Sequence, residues 1–265
     1  MDIITSRDNA GVKYACTLRD SEKQRAAEGL FFAEGPKLCL ELAKSCTPRT
    51  AYATEAAMEK TPALESLRPT LIAPHVAEKL AGTKTSQGVF VLFEQPAPPV
   101  ERLDTATHIL ALEGVQDPGN VGTLLRSAAA FGYDLVLLGP GCAAPFSPKT
   151  LRSSMGAAGR LPVLHVDDLP ATLQGLRARG ARQEGVELGL HARGALPLSV
   201  HRIDDRGRHV AVGVFAFEDG LPLDPVDVEL TDLTVGHRID VSLDVLVGRI
   251  AQHHAAQLGL VHAEE

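Results

Sequence analysis

The chain has 265 residues, 45% of them apolar, which suffices for one large domain or two modest ones. Its 26 basic and 33 acidic residues give a formal charge of −7, which excludes a histone-like or tail-driven nucleic-acid binder but leaves room for a local basic patch. No apolar run approaches the roughly 20 residues of a membrane span, and the first residues lack the charged-then-apolar order of a signal peptide, so a soluble, cytoplasmic protein is expected.

In chain order, residues 24–45 read as a short apolar strand around Phe31 and Phe32, a turn at Glu34-Gly35-Pro36, and a helix with Leu38 and Leu42 on its apolar side. TAYAT (50–54), TLIAP (70–74) and GVFVLFE (88–94) supply further strands separated by polar helical segments. Pro96, Pro98 and Pro99 and the charged residues after them can continue neither a helix nor a central strand. They mark a linker over 96–104 between a module of residues 1–95 and one of 105–265.

The second module alternates in the same α/β manner. Strands are expected over 108–115, 134–139, 161–166 and 210–217, and helices over 120–132, 148–156, 169–180 and 242–259. The last helix carries Leu243, Leu246, Val247, Ile250 and Leu258 at apolar positions, as either a dimer element or the closing layer of the core. His253 and His254 on it read as surface or dimer contacts, since no metal-ligand spacing accompanies them. Cys16, Cys39, Cys46 and Cys142 show no C-x-x-C spacing, so buried free thiols are expected rather than a disulfide framework or zinc site. With no tryptophan and only three tyrosines, an aromatic platform for stacking single-stranded bases is not expected.

Chemistry concentrates in LEGVQDPGNVGTLLRSAAAFG (112–132). A strand feeding Asp117-Pro118-Gly119-Asn120 and then a helix presents free N–H groups at the mouth of a sheet, where ligands and anions favour binding. Asn120 is the expected N-cap, and a Pro-Gly turn with a capping Asn explains these residues equally well without a ligand. Arg126 lies six residues further along a helix otherwise built of Val121, Leu124, Leu125, Ala128, Ala129 and Phe131. A guanidinium among core-facing neighbours calls for a partner, and a phosphate is one candidate. The spacing is not G-x-G-x-x-G, so a nicotinamide cofactor has no support.

DPGNVGTLLRSAAAFG followed by SPKTLRSSMGAAGRLPV resembles the first signature of the SpoU/TrmH family of RNA 2′-O-ribose methyltransferases, the knotted SPOUT class. In the first module, Arg25, Phe32, Glu34, Gly35 and Lys37, with Gln87 and Gly88 later, are similar to the substrate-binding domain that precedes many such catalytic domains. The resemblance implies a parallel-sheet α/β domain with a deep C-terminal trefoil knot, preceded by a smaller α/β RNA-binding domain, and a homodimer. It also implies S-adenosylmethionine as methyl donor and RNA, most of all ribosomal RNA, as substrate. Asn120, Arg126, Glu218 and Ser242 would form the catalytic set. A guanidinium with a pKa of about 12.5 or more suits charge stabilisation and positioning of the ribose and phosphate better than proton removal. Ala216, Phe217, Gly220, Leu221, Leu233, Val235, Leu243 and Asp244 would line the donor pocket. Arg25, Lys37, Lys149 and Arg152 would meet RNA, with Lys149, Arg152 and Arg160 flanking the Arg126 site.

Three positions and one loop depart from the family pattern, Leu233-Thr234-Val235-Gly236 standing in place of an I-P-M-like loop. Ala216 and Phe217 stand where the family has Gly and Asn, and an added Cβ narrows the approach of backbone to a ligand. Asp244 replaces an Asn, which both donates and accepts where ionised Asp only accepts. The alternative function is therefore a dimeric RNA-binding protein of the same fold that does not bind the donor. The stretch from Pro145 to Val210 carries more Lys and Arg than Asp and Glu, so a basic face on an acidic protein is expected.

Overall fold

The structure is a computed structural model that describes residues 3–179, 184–188, 198–202 and 209–214. The chain divides into two compact units, residues 1–97 with 144–160, and residues 98–143 with 161–265.

In the first unit, Asn9 opens α1 (Ala10–Asp20) by accepting from the N–H groups of Gly11 and Val12. Val12, Ala15 and Leu18 form its buried face, at the three-residue spacing of one helix side. Ser21 caps α2 (Glu22–Glu28), which stops at Gly29 in the left-handed conformation. There follow β1 (Leu30–Glu34), α3 (Pro36–Leu42), β2 (Pro48–Ala53), α4 (Glu55–Lys60), a 3-10 turn over Pro62–Leu67, β3 (Thr70–Leu71), α5 (Pro74–Leu80) and β4 (Val89–Glu94). The strands form a mixed sheet in the order β1-β4-β2-β3, with β4 antiparallel to both neighbours and β2 parallel to β3. Central β4 reads Val-Phe-Val-Leu-Phe because both its faces are covered. Phe32, Phe90, Leu92 and Tyr52 pack with Val12, Ala15 and Leu18 of α1 and Val76, Ala77 and Leu80 of α5. On the other face Phe31 stacks on Phe93, with ring centroids 5.4 Å apart.

The second unit begins with α6 (Arg102–Thr105), β5 (His108–Glu113), α7 (Pro118–Ala130) and β6 (Leu135–Leu138). Residues 144–160 then belong to the first unit, as α8 (Pro148–Ser153) and α9 (Ala157–Arg160). The second unit resumes with β7 (Val163–His165), α10 (Leu169–Ala178), β8 (Glu184–Leu188), β9 (Leu198–Arg202) and β10 (His209–Val214). β8 and β9 pair antiparallel, while the principal sheet is parallel throughout, in the order β10-β5-β6-β7. Ile109, Ala111, Leu135, Leu137 and Leu164 on one face pack against Leu169, Leu173 and Leu176 of α10. Their alternates Leu110, Leu112, Val136 and Leu138 are equally buried, as strands covered on both sides require. At the start of the sheet the Asp134 carboxylate accepts from the Thr107 and His108 N–H groups and the Thr107 hydroxyl.

The segment 144–160 follows the linker and carries the R-x-S-M-G-A run, which the sequence assigns to the second module. It packs instead within the first unit. Phe146 stacks on Phe31 at 5.0 Å, extending the Phe93 stack to three rings. Cys46 Sγ donates to the Gly159 carbonyl at 3.4 Å, and Arg160 Nη1 reaches Glu41 Oε1 at 2.8 Å. A Cβ on Gly159 would sit 2.6 Å from Leu42 Cδ2 and 2.9 Å from Cys46 Sγ, so a larger residue would force these buried side chains or α9 itself to shift.

The closing helix expected over 242–259 and the trefoil knot implied at the C-terminal end fall outside the described residues. All four cysteines are free, but only Cys39 and Cys46 are buried, while Cys16 and Cys142 are half-buried. Burial raises each of these thiols above its ordinary pKa, and in Cys39 the nearby Glu34 charge adds to the effect. Among the described residues no helix is long and apolar enough to cross a membrane, and no cluster of His, Cys, Asp and Glu could hold a metal.

Candidate functional site

In the parallel sheet the chain runs from β5 to β6 on one side, and β10 pairs with β5 on the other. That reversal beside β5 is a switch point, and ligands of open α/β sheets bind at the carboxyl ends of such strands. The carboxyl end of β5 is Glu113, paired with Val214 at the end of β10. Beyond it, the backbone of 114–115 is tied to the loop after β6. Gly114 N–H donates to Pro140 O at 2.9 Å, Gly139 N–H to Leu112 O at 2.8 Å, and Ala143 N–H to Val115 O at 2.8 Å. Gly114 and Gly141 both have positive φ, and a Cβ on Gly141 would lie 3.2 Å from Gly114 Cα. The two loops meet backbone to backbone, which side chains would prevent.

The chain then turns into α7, and here the structure corrects the expected cap. Asp117, not Asn120, is the N-cap: its Oδ1 accepts from the Asn120 N–H at 3.0 Å, and Pro118 occupies the first helical position. Proline suits that position because it has no N–H to leave unsatisfied and its φ is already helical. The Asp-Pro pair carried this signal in the sequence. Asn120 is thereby in the first turn of the helix with its side chain half-buried and released from capping.

Arg126 is also placed differently from expectation. Val121, Leu124, Leu125 and Ala128 bury one face of α7, and Arg126 is exposed on another. It makes no hydrogen bond or ion pair among the described residues, so the core demands no partner for it. Asn120, Thr123 and Arg126 follow one another at three-residue steps along one ridge of the helix, about 9 Å from first to last. Thr123 Oγ1 is engaged by donation to Gly119 O, which leaves the amide and the guanidinium as the ridge's available groups.

Of the four residues expected to meet RNA, Arg25 is corrected. It is 5% exposed, and its Nη1 donates to Leu18 O at 2.8 Å and Arg19 O at 2.9 Å. Those carbonyls end α1 and lack helical partners, so the guanidinium closes the helix from outside. Burial lowers its pKa, but arginine stays charged. Arg19 does the same for α5, donating from Nη1 to Lys79, Leu80 and Ala81 carbonyls while Asp20 grips its other edge. Lys37 is exposed in the first turn of α3, Lys149 is exposed and Arg152 half-exposed on α8, and all three belong to the first unit. Arg160 is exposed and paired with Glu41. Asn120 and Arg126 belong to the second unit.

Sequence reasoning missed how Glu34 acts. It is 7% exposed, and its carboxylate accepts from Gly82 N–H at 2.9 Å and the Thr83 hydroxyl at 2.7 Å. Glu218 and Ser242, and the donor-pocket set Ala216, Phe217, Gly220, Leu221, Leu233, Val235, Leu243 and Asp244, lie outside the described residues. In sequence, residue 216 comes two positions after the end of β10 at Val214, which is paired with Glu113.

The SpoU rRNA Methylase family matches residues 107–204, and the MRM3-like substrate binding domain matches residues 9–91. The chain is 41% identical over 106 residues to the 23S rRNA (guanosine(2553)-2'-O)-methyltransferase RlmP of Bacillus subtilis, covering 40% of this chain and 41% of that protein. It is 36% identical over 190 residues to an uncharacterized tRNA/rRNA methyltransferase of Synechocystis, covering 67% of each. The fold is that of the AdoMet-bound rRNA methyltransferase of Sinorhizobium meliloti, with a TM-score of 0.69 at 23% identity over 97% of this chain and 98% of that one. The chain belongs to the SpoU rRNA methylase family.

Proposed function

We propose that the chain transfers a methyl group from S-adenosylmethionine to a ribose 2′-hydroxyl of ribosomal RNA. The observation that carries this reading is Arg126, an exposed guanidinium without a partner among the described residues, on the helix that opens at the sheet's switch point. The 2′-O specificity is supported by the activity for which the Bacillus relative is named. When bound, the sulfonium donor would supply an electrophilic methyl carbon with a neutral thioether as leaving group, so the sulfur–methyl bond breaks as the bond to the 2′-oxygen forms, the hydroxyl proton passes to a phosphate oxygen of the RNA, and no acid is needed at the leaving group. Arg126 holds a phosphate and the target ribose by its planar donor fork, and Asn120 orients the sugar with an amide freed from capping. Glu218 and Ser242 complete the catalytic set, and residues 216–244 hold the donor. On this reading residues 1–95 bind RNA and residues 105–265 form a knotted methyltransferase that works as a cytoplasmic homodimer.

The alternative, an RNA-binding protein that takes no donor, is favoured by Ala216, Phe217 and Asp244 alone. Calorimetric titration with S-adenosylmethionine, without RNA, separates the two. Saturable binding near micromolar, about −8 kcal/mol, is expected; no heat up to millimolar in a folded sample leaves the alternative standing. With binding in hand, Arg126→Ala is expected to lower methylation of unmodified ribosomal RNA at least about a hundredfold. Because the side chain is exposed, its stability cost should stay within about 0.5 kcal/mol.

A further inference from the structure

At one end of the first sheet, Glu34 closes β1, Ala53 closes β2 and Val89 opens β4, with Ala53 paired to Val89 and Glu34 to Phe90. The loop from Gly82 to Gly88 crosses this end and is fixed at both sides. Glu34 holds its start through Gly82 N–H and the Thr83 hydroxyl. At its finish Gly88 N–H donates to Ser86 Oγ at 3.0 Å, and Gly88 O accepts from Thr54 N–H at 2.9 Å. Gly88 has φ +70°, and a Cβ there would collide with the Thr54 hydroxyl. Gln87 lies over the turn before α3, its Oε1 3.7 Å from where a Gly35 Cβ would be, and Lys37 follows two residues on.

A buried carboxylate spent on holding a surface loop is costly unless the loop's shape matters. What the loop presents is uniform in character. Lys84, Thr85 and Gln87 are exposed, none has a side-chain hydrogen bond or ion pair among the described residues, and the stretch between the two glycines contains no acid. It also contains no aromatic ring on which an unpaired base could stack.

We propose that the loop Thr83–Gln87, with Lys37 beside it, is the surface by which the first unit grips the sugar–phosphate backbone of base-paired RNA, and that Glu34 is its positioning residue. The inference rests on the RNA reading above. A cation meets phosphate, and a hydroxyl and an amide meet the 2′-hydroxyls that distinguish an RNA helix, which proteins recognise largely by shape.

The test is filter binding by the full chain to three probes: in vitro transcribed 23S rRNA, the duplex poly(A)·poly(U), and single-stranded poly(U). The double variant Lys84→Ala/Gln87→Ala is compared with the wild type and with Arg49→Ala, which removes a cation paired with Glu94 at the other end of the sheet. The double variant is expected to bind 23S rRNA and duplex about fivefold more weakly, with a salt slope smaller by about one. Arg49→Ala should change affinity less than about twofold, and the wild type should prefer duplex over poly(U). Thermal melting should match the wild type for both variants, because the altered side chains lie at the surface. Equal affinity and slope for wild type and double variant, or equal binding of poly(U) and duplex, overturns the loop assignment while the RNA reading stands. A wild type that binds no 23S rRNA at low salt overturns both.

Discussion

Arginine does three different jobs in this chain, and sequence spacing alone could not sort them. Arg25 sits in a motif shared with substrate-binding domains, yet it is spent on the last carbonyls of α1. Arg19 is spent on the end of α5, and Arg126 stands free in solvent among apolar sequence neighbours. Arg25→Ala would leave two carbonyls unsatisfied and a void beneath them, so a loss of about 2–3 kcal/mol in urea unfolding is expected. The salt slope of RNA binding should stay unchanged in that variant, whereas a residue that meets phosphate would lower it by about one. The motif singled out Arg126 in the sequence, but its exposure was not legible there. A helix of 3.6 residues per turn lets position 126 leave the face shared by 121, 124, 125 and 128. Similarly, Asp117 and Asn120 are both good caps, and the proline between them decided which one serves.

At the scale of elements, every strand expected within the described residues is present, because buried strands are written as unbroken apolar runs. HILALE and LVLL form β5 and β6, and VFVLFE forms β4. The prolines follow the end of β4 at Glu94, but α6 starts at Arg102, inside the stretch expected as linker. What the sequence hid is the partner of α8 and α9, since their apolar positions say that a face is buried and not against what. The evidence for that partner lies in small residues, Gly156 and Gly159, whose missing side chains leave no hydrophobic signal. Gly159→Ala places a methyl against two buried atoms of α3 and its following turn, Leu42 Cδ2 and Cys46 Sγ. A destabilisation of about 1–3 kcal/mol is expected, read from the thermal midpoint. An unchanged midpoint would mean that α9 can shift away from α3 without loss.

Considered whole, the chain passes between its units at three places, 97/98, 143/144 and 160/161. Cleavage in the exposed stretch around Val100, which is 58% accessible, should therefore not release the first unit as an independent piece. The fragment from residue 98 onward still carries Phe146, Gly159 and Arg160, which are packed into the first unit. The two fragments are expected to elute together on gel filtration and to separate only in denaturant; separate elution without denaturant would show that these contacts are weak. The same interleaving dictates an order of events at the ribosome. When Glu94 has left the exit tunnel, every strand of the first sheet has been made, yet Phe31 still has one ring face open and Leu42 still lacks the glycine that packs on it. The first module can close its core only after residue 160 has emerged, when β5, α7 and β6 are already synthesised. Translation thus closes the core of the first unit in one late step, after the helix that carries Asn120 and Arg126 has been made.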